Sequence, residues 1–272
     1  MARSFSSYNK VTYKISVTIR QIQRYLQWAR EKNSYAQKQL PDQLPFRVYK
    51  HQSVLIRKLG DADLQLQYNK VTNIELAIKN LNGIIIEPGE TFSFCYLVGA
   101  TTAKKGYLVG MQLSDGEAIA GIGGGICQIA NLIHWLCLHS PLTVTERHHH
   151  SFDPFPDSGR VVPFGCGASI FYNYRDYRFK NNTPHRFQLL FWLDKKCLNG
   201  DLRIDQELPY TYHIFEQNHA FIKKDDQFYR RNEIWRKQIA KEGGHQLSIE
   251  CLQKNMALVK YIPDQYICED SE

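Results

Sequence analysis

The sequence predicts an α+β protein: an antiparallel-rich sheet with a buried helix carrying Cys127 and an N-terminal helical extension. Three observations carry this. Short stretches of apolar/polar alternation recur between turn residues, which is the strand period. Gln128 to about Leu138 is apolar on nearly every face (Ile129, Ala130, Leu132, Ile133, Trp135, Leu136, Leu138), as a helix inside a core would be. Near the N-terminus, Ile22, Tyr25, Leu26 and Trp28-Ala29 make a helical stripe with Arg and Gln outside it.

In chain order, Val11, Tyr13, Ile15, Val17 and Ile19 alternate and predict a strand over 11–19. A helix follows from Arg20 to about Ala36, and Pro41 and Pro45 mark a loop. Phe46–Tyr49 and Val54–Ile56 read as strands. Lys70 to Leu81 reads as a helix stopped by Asn82-Gly83. Asn69, Asn73 and Asn80 read as its surface, and Asn82 as facing later loops. Ile84–Ile86 and Thr91–Tyr96 are expected strands around a Pro88-Gly89 turn, and Tyr107–Leu113 another. After the cysteine helix, Ile170–Tyr174, the segment after Asp176, Phe187–Leu193 and Leu202–Ile204 are further strands. From Tyr210 the chain turns aromatic and charged, with antiparallel strands joined by tight turns such as Lys224-Asp225-Asp226. The expected organisation is an N-terminal extension (1–45), a core domain (46–205) and a C-terminal aromatic β-rich region packed on the core (206–272).

The chain has 272 residues, enough for a sizeable core. Its formal net charge is +7 with the cations dispersed, and no zinc-finger spacing or RNA-binding signature is present, so no nucleic acid partner is expected. No run approaches the ~20 apolar residues of a transmembrane helix. Val11–Ile19 lacks the apolar core and cleavage site of a signal peptide, which predicts a cytoplasmic protein with at most peripheral membrane association. The seven cysteines are odd in number and contain no CxxC, which fits free thiols in a reducing compartment.

The chemistry concentrates between Gly121 and Ser151. Gly123, Gly124 and Gly125 allow positive φ and close approach. Cys127 follows at the expected helix start, where unpaired N–H groups and the helix dipole favour a thiolate. The glycine-turn amides could hold an oxyanion, and Gln128 adds an amide donor. If residues 146–151 are extended, Glu146, His148 and His150 share one face, while Arg147 and His149 point to the other. His148 and His150 are the candidate bases, and Ser151 could bond within the turn. Asp153, Asp157 and Asp176 are candidate third members, with Asp176 favoured. The bland alternatives are a buried structural cysteine and a satisfied histidine tract; zinc held by Cys127, His148 and His150 is a further one. His134 and His139 read as helix-surface or satisfied core groups, and the other six cysteines as structural.

Gly123-Gly124-Gly125-Ile126-Cys127-Gln128 and Glu146-Arg147-His148-His149-His150-Ser151 resemble the two signature motifs of the bacterial VanW family. Pro88 to Phe94, Val98-Gly99 with Thr101-Thr102, Gly106-Tyr107, and Asp176 with Arg178 to Asn181 agree with it. The resemblance spans roughly 68–195. It implies a link to peptidoglycan metabolism and vancomycin resistance. It further implies a cysteine-dependent, L,D-transpeptidase-like acyl transfer, with Cys127 as nucleophile, His148 or His150 as base and the Gly124–Gly125 amides as oxyanion pocket. Gly123, Gln128, Glu146, Arg147, Ser151 and Asp176 would bind a peptide-like cell-wall precursor. No cofactor and no metal are expected. The rival reading is a non-catalytic accessory protein that binds a cell-wall peptide or glycopeptide.

Overall fold

The computed structural model describes residues 10–56, 64–114, 117–149, 152–153, 156 and 161–268. The chain opens on helix α1 (Lys10–Arg30). Strand β1 (Phe46–Val54) and helix α2 (Leu64–Ile78) follow, then β2 (Ile84–Ile86), β3 (Thr91–Ser93) and a short helix α3 (Phe94–Val98). A hairpin of β4 (Val109–Ser114) and β5 (Glu117–Ile122) leads into helix α4 (Cys127–Leu138). Then come β6 (Thr143–Glu146), β7 (Phe152–Asp153), β8 (Arg178–Lys180), β9 (Phe187–Leu193) and β10 (Cys197–Ile204). Three long strands, β11 (Tyr210–Lys224), β12 (Gln227–Ala240) and β13 (Gln246–Val259), and the short β14 (Ile267–Cys268) complete the fold. The α+β class, largely antiparallel, is as the sequence predicts.

A four-stranded antiparallel sheet in the order β1-β10-β9-β2 holds the core. Strands β2 (Ile84–Ile86) and β9 (Phe187–Leu193) read as near-continuous apolar runs because both their faces are covered, whereas β1 and β10 interleave polar and charged residues. Ile84, Ile86, Phe187, Leu189, Leu198 and Leu202 are fully buried. Helix α4 packs on this sheet through Ile129, Leu132, Ile133 and Leu136. Its other side, Trp135 and Leu138, meets Cys166, Ile214 and Ile234 beneath the C-terminal sheet β14-β11-β12-β13-β7. A helix enclosed by two sheets has no polar face, which explains its composition. The β11–β12 turn places Asp225 and Asp226 at positive φ (48° and 58°), the conformation of a tight type I′ hairpin.

Four local expectations are corrected, one of them the strand expected over Ile170–Tyr174, where the chain makes a turn closed by a bridge between Phe171 and Arg175. Residues 11–19 are helical, not a strand. Their alternation also contains a 4-residue series, Val11, Ile15 and Ile19, and tertiary bonds select the helix. Tyr13 pairs with the Tyr174 hydroxyl at 3.1 Å, Gln21 donates to the Tyr172 carbonyl at 2.9 Å, and Trp28 is buried. The helix ends at Arg30 instead of near Ala36, because Tyr35 and Ala36 leave it to run beside Thr91. The strand expected over Thr91–Tyr96 stops at Ser93, whose hydroxyl accepts from the Tyr96 N–H and caps α3.

Asn73 is also not a surface residue. It is fully buried, accepts from the Leu108 N–H (2.8 Å) and donates to the carbonyls of Leu108 (3.0 Å) and Gly124 (2.9 Å). Asn82, expected to face later segments, accepts from the Phe191 N–H at 2.9 Å. Among the described residues, no helix is long and apolar enough to cross a membrane.

Candidate functional site

The glycine turn joins β5 to α4. Gly125 has φ +93°, which a side chain rarely tolerates, and a Cβ there would strike the Lys70 side chain. A Cβ on Gly124 would strike the backbone of Gly110. The turn thus lies against β4 and α2 without side chains of its own, and Asn73 holds it by the Gly124 carbonyl. Its amides are partly committed: Gly123 N–H donates to Leu108 O (2.9 Å) and Gly124 N–H to Gly121 O (3.0 Å). Of the two amides expected to hold an oxyanion, that of Gly124 is therefore already engaged.

Cys127 is the first residue of α4, as predicted. Its thiol donates to the Ile170 carbonyl at 3.8 Å. Burial pushes its pKa up, against opposing contacts with the Ile170 and Cys127 backbone. The helix-start setting predicts a thiolate; desolvation of this half-buried thiol instead shifts it toward the protonated form. Gln128 does not turn to the thiol. Its amide donates to the Ser53 hydroxyl (2.8 Å) and the Val54 carbonyl (2.9 Å), tying α4 to the end of β1.

Cys127 and the three turn glycines line a cavity of about 980 Å³, large enough for a short peptide. Phe94 and Phe164 contribute apolar wall, and Lys70 and His149 polar groups.

The second sequence motif forms an ionic cluster at the end of β6. Glu146 accepts from Arg24 through both oxygens (2.6 and 2.7 Å), from His148 Nε2 (3.0 Å) and from the Asp176 N–H (3.1 Å). Burial alone would raise its pKa, but these partners, led by His148 and Arg24, hold it down at about 2. The side chain of His148 is 38% exposed, and its carbonyl accepts from Ser169 N–H. The expected Glu146–His148 face is thus present, and it engages α1. Arg147, on the other face, donates to the carbonyls of Gly165 (2.7 Å) and Gly167 (2.8 Å) and so braces cavity wall. Asp176 is buried; it accepts from the Ser93 hydroxyl (2.5 Å) and the N–H groups of Cys95 and Tyr177 (both 2.8 Å), and burial raises its pKa.

Cys127 makes no hydrogen bond to a histidine among the described residues, and no metal-holding cluster of His, Cys, Asp or Glu occurs among them. His150, Ser151 and Asp157 lie outside the described residues. His149, which the alternation argument set aside, is the described member of the tract that lines the Cys127 cavity. Sequence reasoning also missed Arg24 and Asn73. Asn73 had one signal: it precedes Ile74 and stands three and four residues before Leu76 and Ala77, which puts it on the apolar face of the helix. His134 and His139 are satisfied core groups, as one sequence reading had them. His134 lies between the Tyr177 hydroxyl (3.1 Å) and the Gln253 amide (3.0 Å), and His139 stacks on Tyr49 at 3.6 Å.

An α+β body whose cavity-lining cysteine opens a helix at a glycine turn, beside a Glu-Arg-His cluster, defines a thiol-bearing cavity protein. The chain belongs to the VanW family. Residues 69–203 match the family described as "VanW like protein". The chain is 30% identical over 227 residues to "Vancomycin B-type resistance protein VanW" of Enterococcus faecalis, covering 84% of this chain and 82% of the relative. It is 34% identical over 114 residues to "Uncharacterized protein YoaR" of Bacillus subtilis, covering 41% of this chain and 36% of that one. No solved structure matches it significantly.

Proposed function

We propose that this protein has a cell-wall role linked to glycopeptide resistance, and that its cavity takes a peptidoglycan stem peptide or precursor for acyl transfer on Cys127. The observation that carries the reading is the position of Cys127: first residue of α4, in the wall of a 980 Å³ cavity beside the glycine turn. The kinship to a vancomycin resistance protein supplies the substrate class.

In the proposed step, the Cys127 sulfur attacks a peptide carbonyl, a tetrahedral oxyanion forms, and the C–N bond breaks. The leaving amine takes the proton that a base removed from the thiol. A thioester remains, which an acceptor amine or water then cleaves, restoring the thiol. The base comes from the 148–150 histidine run. The resting thiol is held protonated by burial, so the base acts only when bound peptide has displaced the Ile170 contact.

One observation favours the rival, a non-catalytic binding protein: the Cys127 thiol is bonded to a backbone carbonyl and to no described histidine. A thiol-reactive probe followed by peptide mapping separates the two. The acyl-transfer reading expects slow labelling of Cys127 at pH 7 that a stem-peptide analogue with an uncleavable bond accelerates. Labelling that the analogue only slows, by covering the thiol, supports the binding protein. Mapping is needed because Cys95 and Cys166 line the same cavity.

A further inference from the structure

Helix α1 carries an apolar stripe that points away from the body. Val11, Ile15, Ile19, Ile22 and Leu26 are spaced by four, four, three and four residues, so they share one helical face. Their exposures run from 45% to 64%. The opposite side of the helix is the one that packs: Gln21 bonds Tyr172, Arg24 bonds Glu146, and Trp28 is buried. Residues along this helix are basic (Lys10, Lys14, Arg20, Arg24, Arg30) and none is acidic. Lys14, Arg20 and Arg30 are exposed.

From this we infer that α1 is an interfacial helix that lays its outer stripe into an anionic lipid bilayer surface. An exposed apolar stripe flanked by cations, on a helix of low overall hydrophobicity, is the pattern of a helix lying in the headgroup plane. Charge decides the occupant. An anionic surface complements the helix, and each lysine or arginine near it adds attraction. A second copy would set two acid-free basic helices against each other. The inference goes beyond the proposed chemistry and stands without it. It also has a spatial consequence: Tyr172, which α1 holds through Gln21, lines the Cys127 cavity, so binding would hold that wall behind α1, one helix diameter (~10 Å) from the lipid surface.

The test is co-sedimentation of the full chain with vesicles of phosphatidylcholine alone and with an equal mixture of phosphatidylcholine and phosphatidylglycerol. Wild-type protein should bind the mixed vesicles and bind the neutral ones at least tenfold more weakly, about 1.4 kcal/mol or more of electrostatic attraction. Ile19→Asp/Ile22→Asp should reduce binding to the mixed vesicles about a hundredfold or more with an unchanged melting temperature, since both side chains are exposed. Lys14→Gln/Arg20→Gln/Arg30→Gln should abolish the preference for anionic lipid. No sedimentation of the wild type, equal binding to both vesicles, or binding unaffected by the Ile19/Ile22 variant would each overturn the inference. So would a wild-type dimer in light scattering that the same variant splits, because the stripe would then be covered by a second copy.

Discussion

Arg24 of α1 grips both carboxylate oxygens of Glu146, the first residue of the histidine motif, at 2.6 and 2.7 Å. The arginine and glutamate side chains are only 11% and 18% exposed, so the pair is weakly screened. The N-terminal helix therefore takes part in building the site although it lies outside the matched 69–203 segment.

Replacing Arg24 by Gln leaves Glu146 with His148, the Asp176 N–H and the more distant Arg178. We expect a loss of about 1–3 kcal/mol in stability, the scale of a charge-assisted hydrogen bond. The Glu146 pKa should rise from about 2 toward its ordinary value. Urea denaturation and carboxyl NMR titration check both; an unchanged Glu146 titration contradicts the assignment.

Asn73→Ala removes the three hydrogen bonds of a fully buried side chain and leaves the Gly124 and Leu108 groups without these partners. The expected cost is about 2–4 kcal/mol. Because Gly124 sits three residues before Cys127, thiol labelling of Cys127 should also accelerate. Gly124→Ala should give the same pair of effects by pressing on Gly110. Stability loss without a change in Cys127 labelling would mean that the turn does not control the thiol.

These residues show where the sequence was readable. Helix α4 and its Cys127 start were legible because enclosure between two sheets leaves a continuous apolar run between a glycine turn and Leu138. The Glu146–His148 pairing was legible because an extended segment fixes which side chains share a face. Residues 11–19 were not, since Val11, Ile15 and Ile19 satisfy both periods and only Tyr172, Tyr174 and Glu146, more than a hundred residues away, decide between them. Asn73 was hidden because a buried asparagine looks like a surface one until its backbone partners are known. The rise in the Cys127 pKa was hidden too: helix position is local and desolvation is tertiary.

Acid should destabilise the fold through its histidines. Burial lowers the pKa of His134 to about 3 and that of His139 to about 4. In the unfolded chain both titrate near the ordinary ~6.5, so the unfolded state binds more protons below that pH. Stability is full above about 6.5 and falls as pH drops toward the folded values, by up to about 1.4 kcal/mol per pH unit for each group. Thermal melts between pH 7 and 5, a window above most carboxylate titration, should show this slope. His134→Gln/His139→Gln should flatten it even though the variant starts less stable; an unaltered slope would contradict the assignment.

The most direct test of the central claim is intact-protein mass spectrometry after rapid acid quench of the protein mixed with a stem tetrapeptide. The account predicts an acyl adduct on Cys127, equal in mass to the peptide less its leaving amine, that is lost in Cys127→Ala and unaffected by Cys251→Ala. Absence of the adduct, with peptide bound equally well by wild type and Cys127→Ala, would contradict it and leave the cavity as a binding site alone.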